Sequence, residues 1–331
     1  MNTKIVYAVV SNEKDIYLEQ TLLSVYSLRL YNPEAHVILV VDEDTNKTIQ
    51  GKRCEILKYI TEKIIVKVPK EYTQVQKSRY LKTTLRQNIK GDFLFVDSDT
   101  IITDSLSEID NLNIELGAVK DLHVNLDQNY GCKNIIKKAL SIGFNPLSNN
   151  LYFNSGVIYV KDTNENHSFF QQWNNEWTQS MKQFHEDQPS FNKVNNSFNN
   201  KISPINDQWN CQILCNGLPF LYNAKIIHYF NSWTYQKLHS PTYFFSEKTI
   251  FTTTKELGYI PQDYIPKIKN ARGAFYISTN ICSGTDVRFS NIWTVKVLKK
   301  LYIKYPHIFN ILNSIFYYSV SPIRFIARTI K

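Results

Sequence analysis

No stretch of the 331 residues reaches the roughly 18 apolar positions that a membrane-spanning helix needs, so nothing in the chain reads as a span. Nothing in its opening residues reads as a secretory leader either. The opening Met1-Asn2-Thr3-Lys4-Ile5-Val6-Tyr7 enters an apolar stretch that is too short and too soon interrupted. Cysteine is scarce, odd in number and irregularly spaced (Cys54, Cys132, Cys211, Cys215, Cys282), which favours reduced core thiols in a cytoplasmic protein. Cys211 and Cys215 would share a helix face, but no second pair or histidine completes a zinc set. No residue class is biased enough for repeats, collagen or low complexity. Acidic residues are absent from Val287 to Lys331, where eight cations stand: Arg288, Lys296, Lys299, Lys300, Lys304, Arg324, Arg328 and Lys331. The formal charge of +9 therefore sits almost wholly in that tail, and the remainder carries 30 basic against 29 acidic side chains.

What is present suffices for a packed core, with 43% hydrophobic residues and 14% aromatics. Lys4–Val10, His36–Val41, Lys63–Val68 and Asp92–Val96 read as buried strands, the third ended by Pro69. Between them, Asp15–Leu30 has the apolar spacing of a helix, and Tyr72–Ile89 reads as another. Strand alternating with helix predicts an α/β fold with a mostly parallel, doubly wound sheet. Further on, Leu116–Lys120 and Leu151–Val160 look like strands. Ser168–Phe184 looks like a helix with Phe169, Phe170, Trp173, Trp177 and Met181 facing the core, and a short helix follows over Asp187–Val194. Residues 1–238 are expected to form the main domain, 239–286 an irregular lid or acceptor-side extension, and 287–331 a basic amphipathic helical tail.

Phe93-Leu94-Phe95-Val96-Asp97-Ser98-Asp99 is the segment that points to chemistry. A buried strand stops at two carboxylates one residue apart, and ligands of open α/β sheets bind at the carboxyl ends of strands. Hard oxygen ligands on a tight turn suit Mg²⁺ or Mn²⁺, ions that usually serve a phosphate-bearing substrate. A nucleotide-sugar transferase is the first expectation, since a divalent ion neutralises the charge developing on a diphosphate leaving group. Two Asp ligands alone would hold the ion loosely. His228, directly after Ala224-Lys225-Ile226-Ile227, is the candidate third ligand, and an imidazole among oxygens favours Mn²⁺.

Asp97-Ser98-Asp99, Phe153-Asn154-Ser155-Gly156, Glu186-Asp187-Gln188 and His228 with Trp233 stand in an order that resembles the family 8 glycosyltransferases, from about residue 4 to about 235. The resemblance implies a single GT-A-type domain and retention of anomeric configuration. It also implies a metal site of Asp97, Asp99 and His228, with Ser98 beside it in the donor site. Arg79 fits the place of an arginine facing the donor, where it would hold the diphosphate or sugar bidentately. Asp121 and Asn154 match donor-sugar contacts, with Gly156 allowing close backbone approach. Asp187-Gln188 matches the pair lining the reacting face of the sugar. An amide is a poor nucleophile, so Gln188 suggests same-face attack, while Asp187 is the nearby carboxylate for a covalent route; both stay open. On the first strand, Ala8-Val9-Val10-Ser11-Asn12 offers only Ser11, Asn12 and backbone groups to the base. Past His228, the Gly and Lys-Pro usual in the family are lost, and Lys237 is a candidate replacement diphosphate contact.

Basic residues beside aromatic and aliphatic anchors in 287–331 predict a tail that lies on an anionic membrane surface. That would bring a peripheral cytoplasmic enzyme to a lipid-linked or other cell-envelope saccharide acceptor. No recognition motif for nucleic acid accompanies the charge. Two other classes are weighed: a non-catalytic sugar-binding scaffold on a decayed transferase fold, and a Mg²⁺-dependent phosphohydrolase. The second is disfavoured because Thr100 follows Asp99 directly and the motif lies far from the N-terminus.

Overall fold

The computed structural model describes residues 1–129, 131–213, 216–229, 243–276 and 284–329. Lys237, Trp233, Cys215 and Cys282 lie outside the described residues. Two compact units separate, Met1–Ile281 and Cys282–Lys331.

In the first unit the strands are β1 (Lys4–Val9), β2 (Val37–Asp42), β3 (Glu62–Val66), β4 (Phe93–Val96), β5 (Thr100–Ile102), β6 (Leu116–Lys120), β7 (Phe153–Val160), β8 (Ser203–Pro204), β9 (Cys211–Gln212) and β10 (Ile226–His228). Seven of them form one sheet in the order β3-β2-β1-β4-β7-β6-β8, and β5-β10-β9 form a small second one. The large sheet is parallel except at β7, which runs antiparallel to both β4 and β6. The expected mixed α/β architecture with a mostly parallel sheet is therefore observed. The chain leaves β1 toward β2 and β3, then returns to β4 on the other side of β1. That reversal opens a crevice at the carboxyl ends of β1 and β4, where Val96 hands over to Asp97.

Both faces of the sheet are buried over β1, β2, β4, β6 and β7, which is why those strands read as continuous apolar runs. Strand β3, expected to be buried, lies at the sheet edge and is exposed along most of its length. Ile5, Tyr7 and Val9 of β1 face one core with α1 (Tyr17–Tyr31). Val6 and Val10 face another with Leu81, Phe169, Phe170 and Trp173. Helix α1 is buried nearly all round from Leu18 to Leu28, polar residues included. Those polar residues bond to the sheet and to the loop beyond it: Ser24 joins Tyr7 (3.0 Å) to Thr100 (2.7 Å), and Thr21 donates to Ser98 (2.9 Å). The turn carrying the two carboxylates is thus pinned from beneath by hydroxyls.

After α2 (Glu43–Thr48), the helix expected over 72–89 appears as α3 (Gln74–Thr83) and α4 (Leu85–Asn88). A Thr73/Gln76 capping box starts α3. It ends early because the Thr84 hydroxyl donates to the Tyr80 carbonyl at 2.7 Å, the side-chain competition that makes threonine a poor interior helix residue. Helix α5 (Cys132–Ser141) adds an element to those expected, with Ile135, Ile136 and Ala139 at helical spacing. Helix α6 (Asn164–Ser180) starts four residues earlier than expected, capped by Thr163, and α7 (Gln188–Ser197) follows. Phe169, Phe170, Trp173 and Trp177 are fully buried, as expected.

The described part of 239–286, expected from sequence to be a lid or extension, contributes Tyr243, Phe245, Ile250, Phe251, Ile268 and Ala274 to the core that contains α1. Its helices Lys248–Leu257 and Ile265–Lys269 are short, and the aromatic clustering that buries them leaves no long period in sequence. Cys211 is buried, and burial pushes its thiol up to about 12; Cys54 and Cys132 are half-buried and, like it, unbridged.

The second unit consists of helices Gly284–Asn291, Trp293–Lys304 and Pro306–Thr329. Among the described residues no helix is long and apolar enough to cross a membrane.

Candidate active site

Antiparallel pairing of β5 with β10 sets Thr100 opposite His228, and the Tyr229 N–H donates to the Asp99 carbonyl at 3.1 Å. This pairing spans more than a hundred residues, and it is what brings His228 to the carboxylate turn. Ligand atoms of Asp97, Asp99 and His228 all lie within 4.8 Å of one another, with His228 Nε2 3.2 Å from Asp99 Oδ1. Two carboxylates and an imidazole in one cluster fit a divalent cation such as Mn²⁺ or Mg²⁺.

A chain of amides decides which imidazole nitrogen faces that cluster. The Gly156 N–H donates to Asn154 Oδ1 (2.9 Å), and Asn154 Nδ2 donates to Asp121 Oδ1 (3.0 Å), so the Asn154 amide has one orientation. Asn210 must then give its Nδ2 to Asn154 Oδ1 (2.9 Å) and turn its Oδ1 to His228 Nδ1 (2.9 Å). In the neutral ring the proton sits on Nδ1, and Nε2 is left as the ligand atom. Asp121 is buried beneath Asn154 and also accepts from Asn129 Nδ2 at 3.0 Å. Its observed part is to orient this chain.

At Gly156 a Cβ would stand 2.4 Å from His228 Cε1 and 2.9 Å from both Asp97 Oδ2 and Asn154 Oδ1. Close backbone approach is expected there for a ligand, and the cluster itself already uses it.

Facing the carboxylate turn is Asp187, the residue immediately before α7. Trp173 Nε1 donates to its carbonyl at 3.1 Å, which ties the pair Asp187-Gln188 to the aromatic core of α6. Arg79 Nε lies 3.1 Å from Asp187 Oδ1. Lys82 Nζ lies 3.4 Å from Asp187 Oδ2 and 3.5 Å from Asp97 Oδ1, and donates to Ser155 Oγ at 3.2 Å. The Ser155 hydroxyl in turn donates to Asp187 Oδ2 at 3.0 Å. Gln188 Oε1 accepts from the Ser155 N–H at 3.2 Å.

Electrostatics follow from these partners. Burial pushes the Asp187 carboxyl up, but Lys82 and Arg79 outweigh it, so its pKa lies below the usual value. Asp97 goes the other way: burial raises it, Asp99 adds to the rise, and Lys82 only partly opposes. Burial disfavours a charged His228, yet Asp99 and Asp97 more than compensate and its pKa is raised. The cluster thus carries excess negative charge that a cation would relieve.

All this opens onto one cleft of about 490 Å³. Of the residues singled out from sequence, Ala8, Arg79, Asp97, Ser98, Asp99, Asn154, Asp187, Gln188 and His228 line it. Ser11 and Asn12 are turned to loop-building. Ser11 Oγ donates to Asp15 (2.5 Å) and accepts from Arg53 (2.6 Å), while the Asn12 side chain caps the N–H of Lys14 (2.7 Å). Sequence reasoning misses Lys82 and Asn210. For Lys82 a signal exists, because Val75, Arg79 and Lys82 recur at helical spacing and share the face that lines the cleft. Asn210, in a one-turn helix, offers none.

The sequence profile of glycosyl transferase family 8 matches residues 8–237. No curated protein matches the chain. Among solved structures, it is similar to the galactosyltransferase LgtC in complex with donor and acceptor sugar analogues, at 18% identity over 80% of this chain and 100% of that one, with a TM-score of 0.48. Mouse xyloside xylosyltransferase 1 in its apo form is 14% identical over 69% of this chain and 97% of that one, with a TM-score of 0.45. The glycosyltransferase GlyE of Streptococcus pneumoniae TIGR4 is 17% identical over 84% and 66%, with a TM-score of 0.46.

Proposed function

The chain belongs to glycosyl transferase family 8 and is a glycosyltransferase, and from that premise we propose that it moves a hexose from a nucleotide sugar, UDP-glucose or UDP-galactose, onto a cell-envelope saccharide or glycolipid with retention of configuration. One observation carries this reading: the Asp97, Asp99 and His228 cluster and the Asp187-Gln188 pair open onto the same cleft at the switch point of the sheet. Bound there, Mn²⁺ or Mg²⁺ would stabilise the diphosphate as it departs.

The protein's own groups do the remainder. Asp97, Asp99 and His228 Nε2 would hold the ion, and the Asn210 carboxamide selects the neutral tautomer whose Nε2 lone pair faces it. Arg79, in the cleft with its guanidinium on Asp187, is placed to meet donor oxygens. Asn154 and Ser98 line the donor end, Ala8 offers backbone to the base, and Ser11 and Asn12 shape the loop beneath it. Asp187 has one oxygen on Arg79 and the other on Lys82 and Ser155, and the Gln188 amide oxygen is held by a backbone N–H. Neither side chain is a ready nucleophile. That supports attack on the face the diphosphate leaves, with the leaving phosphate accepting the acceptor's proton and Asp187 stabilising positive charge at the anomeric carbon.

The tail supplies the acceptor side of the reading. Trp293 (77% exposed), Ile303 (67%) and Phe316 (72%) stand out to solvent on helices that also carry Lys296, Lys299, Lys300 and Lys304, a composition suited to an anionic lipid surface. The acceptor would then be lipid-linked and the enzyme peripheral on the cytoplasmic face of the membrane, with 1–238 as the transferase domain and 287–331 as its anchor.

Calorimetric titration with UDP-glucose and UDP-galactose, with and without Mn²⁺, tests the site. Binding should require Mn²⁺ and be lost in Asp99→Asn. Binding that survives either the substitution or a chelator would remove the ion from the mechanism.

A further inference from the structure

Lys82 is a buried ammonium group between the two carboxylates that matter most in the cleft. It stands on the last turn of α3 with its side chain 4% exposed, and its Nζ lies 5.0 Å from the centre of the Phe95 ring. It has three donors and three acceptors within reach: Asp97 Oδ1, Asp187 Oδ2 and Ser155 Oγ. Asp97 is also a member of the cation-binding cluster. One carboxylate therefore has two claimants, and both are positive.

We propose that Lys82 is a resident counter-ion which occupies Asp97 until a divalent cation arrives and is then displaced onto Asp187 and Ser155, so that its charge limits how tightly the site binds the cation. The inference rests on the metal-site reading above and adds a determinant to it. Coulombic repulsion between an ammonium and a divalent ion sharing one half-buried carboxylate is large, because the ammonium itself is enclosed and poorly screened by water. Lys82 cannot relieve that repulsion by swinging into solvent, since its stem is enclosed. It can shift its weight to Asp187 and Ser155, which it already touches.

Two consequences follow. Part of the negative charge of the ion-free cluster is offset by a cation the protein supplies itself. Ion binding at Asp97 is also transmitted to Asp187, on the far side of Lys82, whose ion pair with Lys82 tightens as the other is given up. The metal end and the sugar end of the cleft are thereby coupled through one side chain.

The test is titration of the full chain with MnCl₂ alone, without nucleotide, comparing wild type with Lys82→Met and Lys82→Arg. Met keeps the stem against Phe95 and removes the charge, whereas Arg keeps the charge. Lys82→Met should bind Mn²⁺ about tenfold or more tighter, as expected for removing a like charge at this range, and Lys82→Arg should stay near wild type. A wild type that binds and a folded Lys82→Met that binds no tighter would overturn the inference and leave the metal site standing. Absence of Mn²⁺ binding in all three would overturn both. Should Lys82→Met not fold, ¹⁵N-lysine NMR of the wild type tests the displacement directly. The exchange-protected ammonium signal that disappears in Lys82→Arg should move on addition of Mg²⁺, and a signal that stays put would overturn the displacement.

Discussion

Gly156 shows how much one hydrogen atom can decide. Its lack of a side chain lets the His228 ring, Asp97 and Asn154 converge on the same point of β7. In Gly156→Ala the new methyl group would meet His228 Cε1 first, at 2.4 Å, and neither ring nor backbone is free to yield, since Asn210 and the β5–β10 pairing hold them. The expected result is Mn²⁺ affinity lower by roughly 10- to 100-fold, the range seen when support around a ligand is disturbed. Stability should fall by about 1–3 kcal/mol from overpacking. Calorimetry and thermal melts would check the two, and a variant that binds Mn²⁺ as wild type does would contradict the cluster geometry. At this scale the sequence is legible wherever a residue breaks a pattern. Asp97 and Asp99 interrupt an apolar run, and His228 ends one. Lys82 is harder to see because Lys77, Arg79 and Lys82 look alike along the chain, and only the turn of the helix separates them. Lys77 pairs with Asp42 and Asp44 outside the cleft, and Lys82 is enclosed.

At the scale of elements, helix α7 is the part that positions the reacting face. Asn192 clasps β7 from this helix, accepting from the Phe153 N–H at 2.7 Å and donating to the Phe153 carbonyl at 3.0 Å. That fixes α7 one residue away from Asn154, and hence Gln188 against Ser155. Replacing Asn192 by Leu would leave two buried backbone groups unpaired. We expect a loss of roughly 2–4 kcal/mol in denaturant unfolding, together with weaker nucleotide-sugar binding in the fraction that remains folded. An unchanged unfolding midpoint would show that the clasp is dispensable. Elements are legible in proportion to their period. Strands β1, β2 and β4 lie close to their expected bounds, because buried parallel strands are uninterrupted apolar runs. Helix α5 is legible in the helical spacing of Ile135, Ile136 and Ala139, but the break at Thr84 is not, because a hydroxyl competing for a carbonyl leaves little trace in hydrophobic spacing. The reversal of β7 is equally hidden, since an apolar strand reads the same in either direction.

For the whole molecule, the division into Met1–Ile281 and Cys282–Lys331 predicts that ion binding and membrane association separate. A chain ending at 281 should fold and bind Mn²⁺ with unchanged affinity. The full chain should co-sediment with vesicles containing anionic phosphatidylglycerol, more strongly at low salt, and the shortened chain should not. Trp293→Ala combined with Phe316→Ala should weaken that association without lowering Mn²⁺ affinity. Equal partitioning of the full and shortened chains would remove the membrane from the proposed function.

The sequence by itself determined the α/β class, the buried strands, the carboxylate turn, the basic tail and, through ordered motifs, the family. These are properties of periodicity, composition and local order, which a linear chain displays. Tertiary structure decided which residues stand together: His228 with Asp99 through the pairing of β5 and β10, Asn210 as the group that selects the imidazole nitrogen, and Lys82 between Asp97 and Asp187. Those relations depend on distance in space between residues far apart in the chain, and charge and hydrogen bonding act only over a few ångströms of that space.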